Sequence, residues 1–180
     1  MQVGATLTYD DLVGTRFVAS PSGVPLAGAL WITTMGTGAA GCAVVLAATA
    51  LLWSAGRTVL VGPMWAVFGG AEATTWGIKF LSGRARPTFV EAMTEVSPSF
   101  PSAHATTAVA VYGFVAVAAL GGLTGPRRRA VAAGALALAL LIGLSRLVLS
   151  VHYLTDVLGG YLVGLAWLLA FMSRDRPAVR

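Results

Sequence analysis

Between residues 145 and 156 the chain places Ser145, Arg146, His152 and Asp156 between two apolar runs long enough to cross a membrane. Polar and ionisable groups are costly there, so they signal a function. His152 and Asp156 are four residues apart, a spacing that stacks them on a helix and lets the carboxylate fix the tautomer and orientation of the imidazole. Arg146 adds a permanent, planar cation. Such a cation beside an oriented imidazole suits the task of holding a phosphate against a nucleophile.

Two further clusters have the same chemical flavour: Lys79 with Arg84, Arg86 and Pro87, and the run Pro101-Ser102-Ala103-His104. To work with His152 they must be carried to the same place by the elements between them. Of the 180 residues, 57% are hydrophobic and 11% charged, and the mean hydropathy is +0.80. That composition indicates an integral membrane protein. The net charge of +5 comes from short basic clusters between apolar runs, so no nucleic-acid partner is expected. The single cysteine, Cys42, excludes an intrachain disulfide framework and a cysteine-based metal site, and reads as a small buried residue. No signal peptide is expected, because Met1 to Thr15 lacks a basic stretch followed by an apolar core.

The uncharged stretch Phe17 to Gly56 is too long for one span and short for two. Its first half, with Pro21 and Pro25, predicts a loop leading into an interfacial or poorly spanning helix near Trp31. Spans are expected at about Gly38 to Trp53, Thr58 to Ile78, Ala105 to Leu123, Ala130 to Leu144 and Val157 to Met172. The Gly121-Gly122 pair, and then Gly125-Pro126 with the three arginines after it, are expected to interrupt helix. The segment Ser82 to Pro101 reads as a loop outside the hydrocarbon. The expected fold class is therefore all-α, a polytopic bundle of five to six membrane helices. Residues 1–35 form its N-terminal part, 36–172 its catalytic core and 173–180 a cytoplasmic tail. If the spans alternate, Arg57, Arg127 to Arg129, Arg174, Arg176 and Arg180 share one face, which the positive-inside rule makes cytoplasmic. Lys79 to His104 and Arg146 to Asp156 then share the outer face.

Lys79 followed by Arg86-Pro87, then Pro-Ser-Ala-His at 101–104, then Ser145-Arg146 with His152 and Asp156, resembles the three-part signature of the type 2 phosphatidic acid phosphatase (PAP2) superfamily. The resemblance covers about residues 36 to 172. It implies that His152 attacks phosphorus to form a phosphohistidine, that Asp156 orients His152, and that His104 protonates the leaving oxygen. It assigns the phosphate oxygens to Lys79, Arg86 and Arg146, with Ser102 and the Ala103 N–H. No metal or other cofactor is implied. The residues agree in part: Ser102 and Ser150 are each placed to cap a following helix, which predicts His104 and His152 in first helical turns, beside free N–H groups.

The family's usual glycine in the second motif is Ala103 here. Alanine keeps the oxyanion contact if that position starts a helix, and loses it if a positive φ is needed. Ser145, Arg84 and Glu72 are accessory candidates. Arg84 falls outside the family pattern, and Glu72 lies about two turns from Lys79 on a similar face, able to pair with a hydroxyl or a basic group. The expected function is an integral membrane lipid phosphatase acting on a lipid or polyprenyl phosphate monoester or pyrophosphate at the outer face of the cytoplasmic membrane. The alternatives are a lipid-phosphate binding or translocating protein without chemistry, and a haloperoxidase, which is soluble in that family. The bilayer and its lipid phosphates are the expected partners.

Overall fold

The computed structural model describes residues 24–87 and 96–174. Residues 1–23, most of the expected N-terminal part, and 175–180, most of the expected tail, lie outside them. So do residues 88–95 of the expected loop.

Among the described residues the chain is helical. It runs through α1 (Val24–Thr34), α2 (Gly38–Ser54), a short 3-10 turn (Thr58–Leu60) and α3 (Val61–Ser82). After the loop come α4 (Ala103–Thr107), a π-helical turn (Ala108–Tyr112) and α5 (Gly113–Leu120), then α6 (Gly125–Val148) and α7 (Leu154–Arg174). Three stretches are long and apolar enough to cross a bilayer: Ala103–Leu120, Gly125–Val148 and Leu154–Ser173. The pair α1 and α2, bent by 50°, passes the same test taken together. α3 has 22 residues, about 33 Å at 1.5 Å each, but Glu72, Thr74, Thr75 and Lys79 make it less apolar. It turns Met64, Val67, Ala71, Thr75 and Lys79 inward, one residue every three or four, as a helix with a buried stripe does.

Two boundaries differ from the sequence expectation. Helix α6 begins at Gly125 and includes the three arginines, with Pro126 in its first turn, where a missing N–H costs nothing. The break is confined to Gly121–Thr124. The span expected from Ala105 starts at Ala103 and carries the π-helical turn, an irregularity that no periodicity announces.

Small residues set how closely the helices approach. A Cβ on Gly160 would come within 2.4 Å of the Ser102 carbonyl oxygen, and one on Gly164 within 2.8 Å of the Thr106 oxygen. These glycines, four apart on α7, let the backbone of α4 lie directly on it, as small residues do in membrane bundles. At the same junction the Ser102 N–H donates to the Asp156 carbonyl at 2.9 Å. The starts of α4 and α7 are therefore tied together. At the far end Arg57 Nη1 donates to the Ala118 carbonyl at 2.9 Å, so the α2–α3 turn meets the end of α5 near the arginines of α6. Arg57 and the arginines of α6 gather at that end, and Lys79, His104 and His152 at the other.

Candidate active site

His152 lies in the connection between α6 and α7, not in a helical turn. Ser150 takes a left-handed conformation with φ 54, which ends the run of α6 and re-aims the chain two residues before His152. Helix α7 starts only at Leu154, so the expected cap at Ser150 is replaced by another. The Asp156 carboxylate accepts the Tyr153 N–H at 2.9 Å, closing the first turn of α7 from within. Asp156 still reaches His152, with Oδ2 at 3.4 Å from Nδ1, although the two do not stack on one helix.

The carboxylate of Asp156 is fully buried and has two partners that the sequence did not place there. Ser99 Oγ donates a very short hydrogen bond to Oδ2 and lies 3.4 Å from His152 Nδ1. Arg84 Nη1 is 2.7 Å from Oδ1 and 2.7 Å from Thr155 Oγ1, with its guanidinium 4.4 Å from the Tyr153 ring centroid. Arg84, outside the three motifs, is thus joined to the carboxylate that meets His152. With Nδ1 turned to Asp156, the other ring nitrogen faces Arg86, whose Nη1 lies 3.3 Å from Nε2.

Arg86 is held in turn by the carbonyls of Ser97 (2.8 Å) and Val151 (2.8 Å) and by Ser97 Oγ (2.9 Å). Lys79, 1% exposed, donates to the Pro98 carbonyl at 2.5 Å and lies 5.8 Å from the Trp76 ring centroid. The loop after α3 therefore folds back over its own helix end. The Ser99 N–H to Arg84 carbonyl bond (2.7 Å) and the Ser82 Oγ to Phe100 carbonyl bond (3.0 Å) hold it there.

These groups open onto a cavity of about 170 Å³ lined by Thr37, Gly38, Glu72, Trp76, Lys79, Arg86, Ser97, Ala103, His104 and His152. It brings together residues from α2, α3, the loop, α4 and the α6–α7 connection, and its size suits a phosphoryl group with a short alcohol. A larger groove of about 320 Å³ beside Trp167 and Phe171 holds no ionisable group. Ala103 is the first residue of α4, and Ser150 is the only non-glycine with positive φ among the described residues. Alanine is therefore accommodated without strain and offers its N–H. Ser102 precedes it as the cap but makes no side-chain capping bond, and its Oγ is buried with no hydrogen-bond partner.

Arg146 is 2% exposed and sits behind the cavity, where Nη1 donates to Thr33 Oγ1 of α1 at 2.7 Å. Its charge is felt at His152. Ser145 turns its hydroxyl back to the Ile142 carbonyl at 2.6 Å and takes no part in the cavity. The bend between α1 and α2 passes over His104, for a Cβ on Gly36 would come within 3.0 Å of that side chain. Glu72 Oε1 accepts from Thr107 Oγ1 at 2.5 Å. Among the described residues no three His, Cys, Asp or Glu side chains gather as a metal site would require.

Burial above all, with the neighbouring Arg146 and Arg86 acting in the same direction and Asp156 opposing them, lowers the pKa of His152 to about 4. The imidazole is therefore neutral at pH 7, with the Nε2 lone pair turned toward Arg86 when Nδ1–H is given to Asp156.

The family model of the PAP2 superfamily matches residues 61–179. The chain belongs to the PAP2 superfamily. Within this PAP2 chain, 101 residues are 38% identical to phosphatidylglycerophosphatase B of Bacillus subtilis (strain 168), covering 55% of this chain and 50% of that relative. The chain thus spans about half the length of the curated relative it matches. The crystal structure of a transmembrane PAP2 type phosphatidylglycerolphosphate phosphatase from Bacillus subtilis has the same fold. Its TM-score is 0.88 at 27% identity, over 95% of this chain and 87% of that one. The PAP2 chain is thus an all-α, multi-pass membrane protein.

Proposed function

We propose that the protein is a membrane phosphatase hydrolysing a lipid phosphate monoester, such as phosphatidylglycerol phosphate, and that residues 36–172 form its catalytic unit. The observation that carries this reading is the convergence of Lys79, Arg86, His104 and His152 on one cavity at one end of a membrane bundle. His152 Nε2 attacks phosphorus while the bond to the leaving oxygen breaks and His104 gives that oxygen a proton. Water then attacks the phosphohistidine, His104 takes the water proton, and His152 leaves as a neutral base. Arg86, Lys79 and the Ala103 N–H stabilise the charge spread over the phosphoryl oxygens, with Arg146 adding its field from behind. Asp156, Ser99 and Arg84 hold the imidazole in the required tautomer. The site opens to the outer face of the cytoplasmic membrane, a placement supported by the arginines at the opposite end.

The test is phosphate release by the purified protein from phosphatidylglycerol phosphate, phosphatidic acid and a polyprenyl diphosphate, with His152→Ala as the control. Turnover with an acid-labile phosphoprotein intermediate that His152→Ala lacks is expected. Undiminished turnover in the variant would exclude the mechanism. Tight binding without release by the unaltered protein would instead identify a lipid-phosphate binder.

A further inference from the structure

The proposed reaction makes no use of Glu72, yet Glu72 is the one carboxylate on the wall of a cavity otherwise furnished with cations and histidines. It lies on α3 seven residues before Lys79, about 10 Å along the helix axis toward the bilayer interior. Its Oε1 accepts from Thr107 Oγ1 at 2.5 Å, and Thr107 follows His104 by one turn on the same helix. Glu72 therefore stands on the side of His104, away from the cationic end that would take the phosphoryl oxygens. If His104 protonates the leaving oxygen, the atoms next to that oxygen face Glu72.

Resting on the phosphatase reading above, we infer that Glu72 is a specificity determinant that accepts a hydrogen bond from a hydroxyl of the leaving alcohol. A carboxylate offers about four acceptor sites, so the bonds from Thr107 and Trp76 leave capacity for a substrate hydroxyl. The favoured lipid phosphates are those with a hydroxyl on the carbon beside the phosphorylated one, as in a glycerol phosphate headgroup. A substrate without that hydroxyl sets methylene groups against a charge, and a site built around a substrate hydroxyl discriminates strongly against the analogue that lacks it. The Thr107 bond fixes where the carboxylate points.

The experiment is a two-by-two comparison of kcat/KM on lipids with the same acyl chains. Phosphatidylglycerol phosphate is compared with its analogue bearing 1,3-propanediol phosphate in place of glycerol phosphate, each with the native enzyme and with Glu72→Gln. Glutamine keeps an acceptor for Thr107 but loses the charge. The native enzyme is expected to favour the glycerol lipid by about tenfold or more, and Glu72→Gln to reduce that preference to about threefold or less, since charge assistance roughly doubles a hydrogen bond. Because only the ratio of the two lipids is read, partial loss of folded variant does not affect it. An equal preference in both proteins, or none in the native enzyme, would overturn the inference while leaving the phosphatase reading intact. No release from either lipid or from phosphatidic acid would overturn both.

Discussion

His152 is 4% exposed and enclosed by Asp156, Ser99 and Arg86, whereas His104 stands at a helix start whose preceding hydroxyl, Ser102 Oγ, is buried and unpartnered. The half around His152, the proposed nucleophile, has its hydrogen bonds in place before any substrate arrives. The half around His104, the proposed acid, keeps a donor in reserve, which a phosphoryl oxygen can use. The difference reflects what each half must do. A neutral imidazole aimed by its neighbours loses little by waiting, while donors aimed at a transferring phosphoryl group act only once it is bound. The two halves are joined by the Ser102 N–H to Asp156 carbonyl bond and the glycines of α7, so they can differ in satisfaction without losing alignment.

The contrast between the two halves depends most on Asp156. Asp156→Asn is expected to reduce kcat by about 10³-fold or more, because the amide no longer selects the Nδ1–H tautomer, with KM little changed. The next effect is seen in pH. His152 titrates near 4 in the folded protein rather than at 6.5, so the acid limb of kcat/KM attributable to the nucleophile should fall near pH 4. The sign for stability follows from the same shift. The unfolded chain binds a proton at His152 between pH 6.5 and 4 and the folded one does not, so stability in detergent should fall as pH drops through that window. A thermal melt series that stays flat from pH 7 to 4.5 would contradict it.

Ser99→Ala removes a donor from a buried carboxylate, at a cost of about 2 kcal/mol. It should lower both Tm and kcat, the latter by about tenfold or more. Ser102→Ala sharpens the contrast: with no partner to lose, Tm should hold. kcat/KM should fall by about tenfold, as for the loss of one hydrogen bond to a charged oxygen, and any rise in Tm on adding vanadate, a mimic of the transferring phosphoryl group, should shrink. Equal losses of Tm in the two serine variants would erase the distinction between the halves. The smallest effect is expected of Ala103→Gly, within about threefold in kcat/KM, because Ala103 has ordinary helical geometry and its N–H is unaltered.

The motifs, the helical class and the grouping of Lys79, His104 and His152 at one end were legible because apolar runs and charge clusters are local features that alternation converts into sidedness. The positions of Arg84 and Ser99 were not. Ser99 lies 57 residues before Asp156, and nothing in a Ser-Pro-rich loop announces which hydroxyl will meet a carboxylate. The spacing of His152 and Asp156 suggested a shared helix, but the left-handed Ser150 separates them in secondary structure while keeping them in contact. Glu72 was conspicuous as a carboxylate in a span, and its Thr107 partner became visible only once α3 and α4 were packed together.

The sequence by itself thus determined the family, the membrane-spanning character and the residue types of the chemistry, since each depends on residue identity and spacing along one chain. The tertiary structure alone decided how His152 is held: which hydroxyl and which cation secure Asp156, that Arg146 stands behind the cavity, and that Glu72 borders it. Hydrogen bonds act over about 3 Å, and which groups come that close depends on how helices distant in sequence pack.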